Sequence, residues 1–191
     1  MTPAQRRRQR TPIIPDSVLG MISFIAIELM MFAGLISAFM IVKGAAPGGV
    51  WPPPGQPRLP VEETLLNTIA LLASGGTLYW AERSFRKAAA KANWPLLITL
   101  LLGVFFVGAQ GREWVDLLAQ GLTIQSSAYG GFFYLIVGMH GLHAICAGLA
   151  LLWAYATLRR GNLSASGFWA VQIFWYFVVG LWPVLYWLVY L

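Results

Sequence analysis

The chain has 191 residues, of which 58% are hydrophobic and only 10% charged, and its formal net charge is +6. Soluble globular domains carry about 25% charged residues, and a body this small has too much surface for its volume to hide such an apolar excess from water. A soluble fold is excluded and lipid is the implied solvent; the basic excess would suit a nucleic-acid ligand, but its distribution along the chain argues against one.

Residues 1–16 read as an Arg- and Pro-rich arm, with Arg6, Arg7, Arg8 and Arg10 among Pro3, Pro12 and Pro15. Asp16 and Ser17 are expected to cap the first helix. A bilayer core of about 30 Å calls for roughly 20 apolar residues at helical rise, and five runs meet that length: 17–42, 63–84, 94–118, 127–158 and 168–191. They are continuous rather than alternating, which predicts an all-α bundle of five transmembrane helices over residues 17–191 and not a barrel. The first run is too long for a signal-peptide core and no small-residue cleavage site follows it. The fourth is long enough to require tilt or extension beyond the bilayer.

Between the first two runs, the stretch 44–61 is dense in Gly and Pro, including Pro52, Pro53 and Pro54, and is predicted to be extended and not helical. Arg83, Arg86, Lys87 and Lys91 fall between the second and third runs, and Arg159 and Arg160 follow the fourth. Together with the N-terminal arm they place ten basic residues on one side of a five-span topology, against Lys43, Arg58 and Arg112 on the other. The positive-inside rule then predicts a cytoplasmic N-terminus and a periplasmic C-terminus. The cytoplasmic Arg83, Arg86, Arg159 and Arg160 are candidates for holding phospholipid headgroups. The soluble segments are too short for an appended catalytic domain, and the single Cys146 permits no intrachain disulfide.

Ionisable groups within spans are costly and each asks for a reason. Glu28 lies mid-span in FIAIELMMFAG and is expected to be protonated or paired, because burial disfavours the charged form. It serves either as a proton or lipid-headgroup site or as a neutral hydrogen-bond partner of a neighbouring helix. Arg112, Glu113 and Asp116 cluster near the end of the third span, where the i, i+4 spacing predicts an Arg112–Asp116 salt bridge. His140 and His143 share a face of the fourth span. Haem ligation would need a second histidine-bearing helix, and a copper site with two histidines alone is incomplete, so no metal and no redox cofactor is expected in this chain. The histidines are left with interhelical hydrogen bonding, Gly138 and Gly141 allowing close backbone approach, or with a polar site facing a partner or lipid. LLASGGTLYW in the second span, with Gly103, Gly108 and Gly111 in the third, reads as packing faces. Trp51, Trp94, Trp114, Trp182 and Trp187 read as interfacial belts.

Four strings in order, FIAIELMMFAGLISAFM, GGVWPPPGQPRLP with LLNTIALLASG, LLLGVFFVGAQGREW and SSAYGGFFYLIVGMHGLHAICAG, resemble subunit III of the haem–copper respiratory oxidases, cytochrome c oxidase in particular. The resemblance covers nearly the whole chain after the arm and is to the family's five-helix form. It implies a non-catalytic accessory subunit of an aerobic terminal oxidase that packs on subunit I, shares a complex with subunit II, holds phospholipid and supports proton uptake. Haem and copper would reside in those partners, and the membrane would be the bacterial cytoplasmic one. Glu28, Glu113, His140 and His143 carry over as the family's polar residues. One departure stands out: the family's last helix usually reads Trp-His-Phe-Val-Asp, whereas this chain has Trp175, Tyr176, Phe177, Val178 and Val179. The rival readings are subunit III of a quinol oxidase, a nitric oxide reductase-associated protein and, more distantly, a small transporter, for which an odd number of spans offers no inverted repeat.

Overall fold

The computed structural model describes residues 14–191 and is built from α1 (Asp16–Gly44), α2 (Val61–Lys87), α3 (Asn93–Ala119), α4 (Ala128–Arg159) and α5 (Ala165–Leu185), the last running into a π-helical turn at Tyr186–Tyr190. The arginines of the predicted arm lie outside the described residues. Each predicted run coincides with a helix to within a few residues at either end. Ser127 and Ser164 begin α4 and α5 by accepting hydrogen bonds from the backbone N–H of Gly130 and Gly167. The start of α1 is different from expectation. Neither Asp16 nor Ser17 caps it; Pro15 stands at the boundary and its carbonyl accepts from the N–H groups of Val18 and Leu19. Asp16 instead sits in the first turn, where its charge suits the positive end of the helix dipole. The 44–61 connection is irregular as expected, apart from one 3-10 turn at Pro47–Gly49.

Helix α5 is the centre of the bundle, packed by α1, α2 and α4, while α2 lies along α3 and α1 rests on the outside against α4 and α5. Four helical segments, Asp16–Gly44, Ala89–Ala119, Ala128–Arg159 and Ala165–Tyr190, are long and apolar enough to cross a membrane. By composition α2 falls short, and its packing explains why. Its polar residues Thr64, Asn67, Thr68 and Ser74 are buried, whereas Leu65, Leu66, Ile69 and Leu72 are exposed. The polar side chains recur every three to four residues and so form one inward stripe, with an apolar stripe outside. Trp175 donates its indole N–H to Ser74 (3.0 Å) and Trp182 donates to Thr68 (2.8 Å), bolting α5 to α2. Interhelical hydrogen bonds of this kind contribute about 0.6 kcal/mol on average and up to roughly 1.7.

The small residues divide into two groups. A Cβ built on Gly75 would lie 3.2 Å from Val179, and one on Gly103 would lie 2.6 Å from Trp175, so these two glycines admit side chains of α5. Gly76, Gly108 and Gly111 meet nothing within 4 Å and do not pack inside the chain, contrary to the sequence reading. At Gly138 and Gly141 it is the Trp114 ring, not a helix backbone, that comes close, at 3.9 and 3.1 Å from the built Cβ. Trp114 is therefore drawn onto α4, and Trp182 is fully buried rather than interfacial. Trp94 and Trp187 remain exposed at helix ends, as belt residues would. Gly103→Ala is expected to lower stability by about 2 kcal/mol, because Trp175 cannot yield without leaving Ser74. Thermal unfolding of the detergent-solubilised protein checks this, and an unchanged midpoint would show the ring to be mobile.

Candidate functional site

Two carboxylates turn into the bundle, Glu113 buried and Glu28 half-buried. Glu28, on α1, faces His143 on α4, with Nε2 to Oε2 at 3.1 Å and side chains 15% and 8% exposed. The approach is oblique rather than a linear hydrogen bond. The other imidazole nitrogen, Nδ1, lies 2.7 Å from the Met139 carbonyl. A carbonyl can only accept, so Nδ1 carries a hydrogen and Nε2 is left facing the carboxyl group. One further proton placed on either partner makes the pair neutral overall. Phe24, Phe32, Phe174 and Phe177 surround the imidazole with ring centroids 5.5–6.4 Å away. Glu28 thus has an ionisable neighbour on α4 within ion-pair distance, with no hydrogen bond at Oε2 among the described residues.

Glu113 turns inward from α3. Its Oε1 accepts from the Tyr190 hydroxyl and its Oε2 lies against the Thr64 hydroxyl, both at 2.8 Å. Tyr190 in turn accepts from Gln110 Nε2 at 3.0 Å, and Gln110 Oε1 accepts from Asn67 at 3.3 Å. A chain of donors, Asn67 to Gln110 to Tyr190 to Glu113, therefore ties α2, α3 and the turn after α5 around one carboxyl group. Thr64 has a single hydroxyl proton and a second acceptor, the Pro60 carbonyl at 2.8 Å. It can donate to a charged Glu113, or donate to Pro60 and accept from a protonated one. Glu113 also lines a cavity of about 410 Å³ that it shares with Arg58, Glu63 and Asp116.

The expected Arg112–Asp116 salt bridge is absent: among the described residues the ion pairs are Arg86–Glu82 and Glu28–His143. Arg112 and Asp116 are both exposed, where a pair gains little against the entropy of ordering two side chains. The two histidines, adjacent on one helix face, serve different neighbours. His140 is 1% exposed, stacks on Trp182 at 4.9 Å and meets the edge of Phe106, with neither nitrogen hydrogen-bonded among the described residues. Among those residues no three His, Cys, Asp or Glu side chains converge into a metal-binding group. Arg83 lies over the Tyr79 ring and Arg86 is paired with Glu82, while Arg159 and Arg160 are exposed at the end of α4. Thr64, Asn67, Gln110 and Tyr190 escaped the sequence reading; the one signal was the three-to-four-residue recurrence of polar side chains on α2. In the last helix, Val179 packs on Gly75 and Tyr176 is exposed.

The fold and its interior define a polytopic all-helical membrane protein with Glu113, His140 and His143 buried within the bundle. The profile of the family "Cytochrome c oxidase subunit III" matches residues 9–191. Relatives named "Cytochrome c oxidase subunit 3" from Loxodonta africana and Latimeria chalumnae are each 38% identical, over 186 and 184 residues, covering 92% of this chain and 70% and 69% of theirs. The Mus musculus protein of the same name is 36% identical over 185 residues, with 92% and 70% covered. The chain belongs to the cytochrome c oxidase subunit III family.

Proposed function

We propose that this chain is the accessory subunit III of an aerobic haem–copper oxidase that oxidises cytochrome c and reduces oxygen, crossing a bacterial cytoplasmic membrane five times with its N-terminus inside. The family match along residues 9–191 carries the reading. The surroundings of the histidines agree with a non-catalytic role: His143 Nδ1 is held by the Met139 carbonyl, and His140 is buried against Trp182 and Phe106. In this reading haem and copper are carried by subunits I and II. Counting α2 as the fifth span is supported by its outward apolar stripe, and the orientation by the basic bias of the loops. Glu28 with His143 is an ionisable pair joining α1 to α4 within the membrane; Glu113 is a buried carboxyl site that joins three segments. Arg159 and Arg160, with Arg83 and Arg86 at the same end, would hold phospholipid headgroups, Arg86 being partly neutralised by Glu82.

A mild-detergent pull-down of the tagged chain tests the assignment. The expected preparation shows haem absorbance, a large polytopic partner and a subunit II with a dinuclear copper centre. A haem-containing partner without that copper subunit would favour a quinol oxidase, and a colourless homo-oligomer would overturn the assignment.

A further inference from the structure

Only three cations, Lys43, Arg58 and Arg112, occupy the connections 44–61 and 120–127 and the helix ends beside them, yet two of the three converge. Lys43, Trp51, Arg58, Tyr129, Tyr190 and Leu191 line a pocket of about 410 Å³ with no Asp or Glu side chain among its lining residues. Trp51 is wedged between the Phe39 and Tyr129 rings at 5.8 and 5.5 Å, which folds the Pro-rich connection down over the bundle. Its indole Nε1 is buried and has no hydrogen-bond partner among the described residues. Lys43 holds its ammonium over the Phe39 ring and donates to the Leu188 carbonyl at 3.4 Å, leaving two of its donors for another acceptor. Neither Lys43 nor Arg58 has a counter-ion among the described residues, and Leu191 brings no carboxylate within ion-pair distance of either. Arg58 also borders the neighbouring cavity that holds Glu63, Glu113 and Asp116, but none of these acids reaches ion-pair distance of it.

Two unpaired cations around a void with no acid in its lining are the donor set for an oxyanion. A guanidinium offers a planar fork to phosphate and an ammonium a point charge. The position indicates where the anion comes from. The pocket lies at the ends of α1, α4 and the turn after α5, at the level where membrane helices meet headgroups. Met40 and Ile36, three and seven residues before Lys43, share its helix face; Met40 is 46% exposed and Ile36 half-buried, so an apolar stripe runs below the charges. We infer that this pocket binds the phosphodiester headgroup of an anionic phospholipid, with an acyl chain laid along the α1 stripe. The site is at the opposite end of the bundle from Arg83, Arg86, Arg159 and Arg160.

The test is made on the tagged full chain with whatever subunits accompany it, after an extensive detergent wash, by organic phosphorus assay and native mass spectrometry. Lys43→Gln/Arg58→Gln is expected to retain about one phospholipid fewer per chain than the unmodified protein. Lys43→Arg/Arg58→Lys, which keeps both charges, is expected to retain it. Delipidated protein should regain the molecule from nanodiscs containing phosphatidylglycerol in preference to phosphatidylcholine alone. Equal phospholipid in the glutamine variant would overturn the inference. So would unchanged phospholipid with loss of an accompanying subunit, which would assign the cations to a protein acid. Displacement of nothing but bound inorganic phosphate would assign them to a soluble anion and overturn it as well. The phospholipid count is read on the chain itself, so it stands apart from whether haem copurifies.

Discussion

His143→Leu is expected to lower the stability of the solubilised protein by about 3 kcal/mol, the cost of removing one partner of a buried pair. Leucine fills the volume left among Phe24, Phe32, Phe174 and Phe177 but offers Glu28 nothing to share a proton with. Glu28 would then hold a proton of its own, since a lone carboxylate in an apolar site is the costlier alternative. A protonated-carboxyl infrared band, abolished by adding Glu28→Gln, is the signature. The double variant Glu28→Leu/His143→Leu should recover most of the lost stability, because replacing both partners by apolar groups leaves no orphan. The cycle formed by the two single changes and the double one isolates the pair's own contribution. If His143→Leu and the double variant were as stable as the parent, the pair would have no energetic role.

Glu113→Leu is expected to cost a similar amount, about 3 kcal/mol, for a different reason. It strands the Tyr190 hydroxyl and removes the group at which α2, α3 and the turn after α5 meet, and unsatisfied buried donors cost about 1–3 kcal/mol each. Glu113→Gln should be far milder, within about 1 kcal/mol. The amide oxygen can still accept from Tyr190. Its N–H can donate to Thr64, whose own proton turns to the Pro60 carbonyl already 2.8 Å away. Tyr190→Phe should fall between the two, near 1.5 kcal/mol, the scale of one hydrogen bond to a charged group. Thermal unfolding midpoints of the three variants order the effects. A Glu113→Gln variant as damaged as Glu113→Leu would mean that the negative charge, not the hydrogen-bond geometry, holds this corner together.

Much of this architecture was legible from composition and spacing. Long apolar runs located four of the helices and a weaker run over 63–84 the fifth, because the need to keep backbone N–H and C=O groups paired in lipid leaves a helix as the economical state of such a run. Glu28, Glu113, His140 and His143 stood out because an ionisable side chain is conspicuous against a run of Leu, Ile and Phe. Their partners did not. Glu28 and His143 are brought together from helices far apart in the chain, and Glu113 finds Tyr190 beyond the end of α5. The Arg112–Asp116 spacing suggested a pair, yet both side chains lie exposed, where spacing permits an ion pair without enforcing it.

The sequence by itself determined that this chain dissolves in lipid as a helical bundle, since transfer to a bilayer depends on composition summed over a window and is blind to rotation about the helix axis. Only the tertiary structure decided which way each polar residue turns. Val179 on Gly75 and Trp175 on Gly103 set how α5 meets its neighbours. The tryptophan bonds to Ser74 and Thr68 hold the polar stripe of α2 inward, so its weakly hydrophobic sequence still presents an apolar face outside. The cost of a polar group in such an interior is set by whether a partner stands at hydrogen-bond distance, and that is a property of packing between helices that no single segment contains.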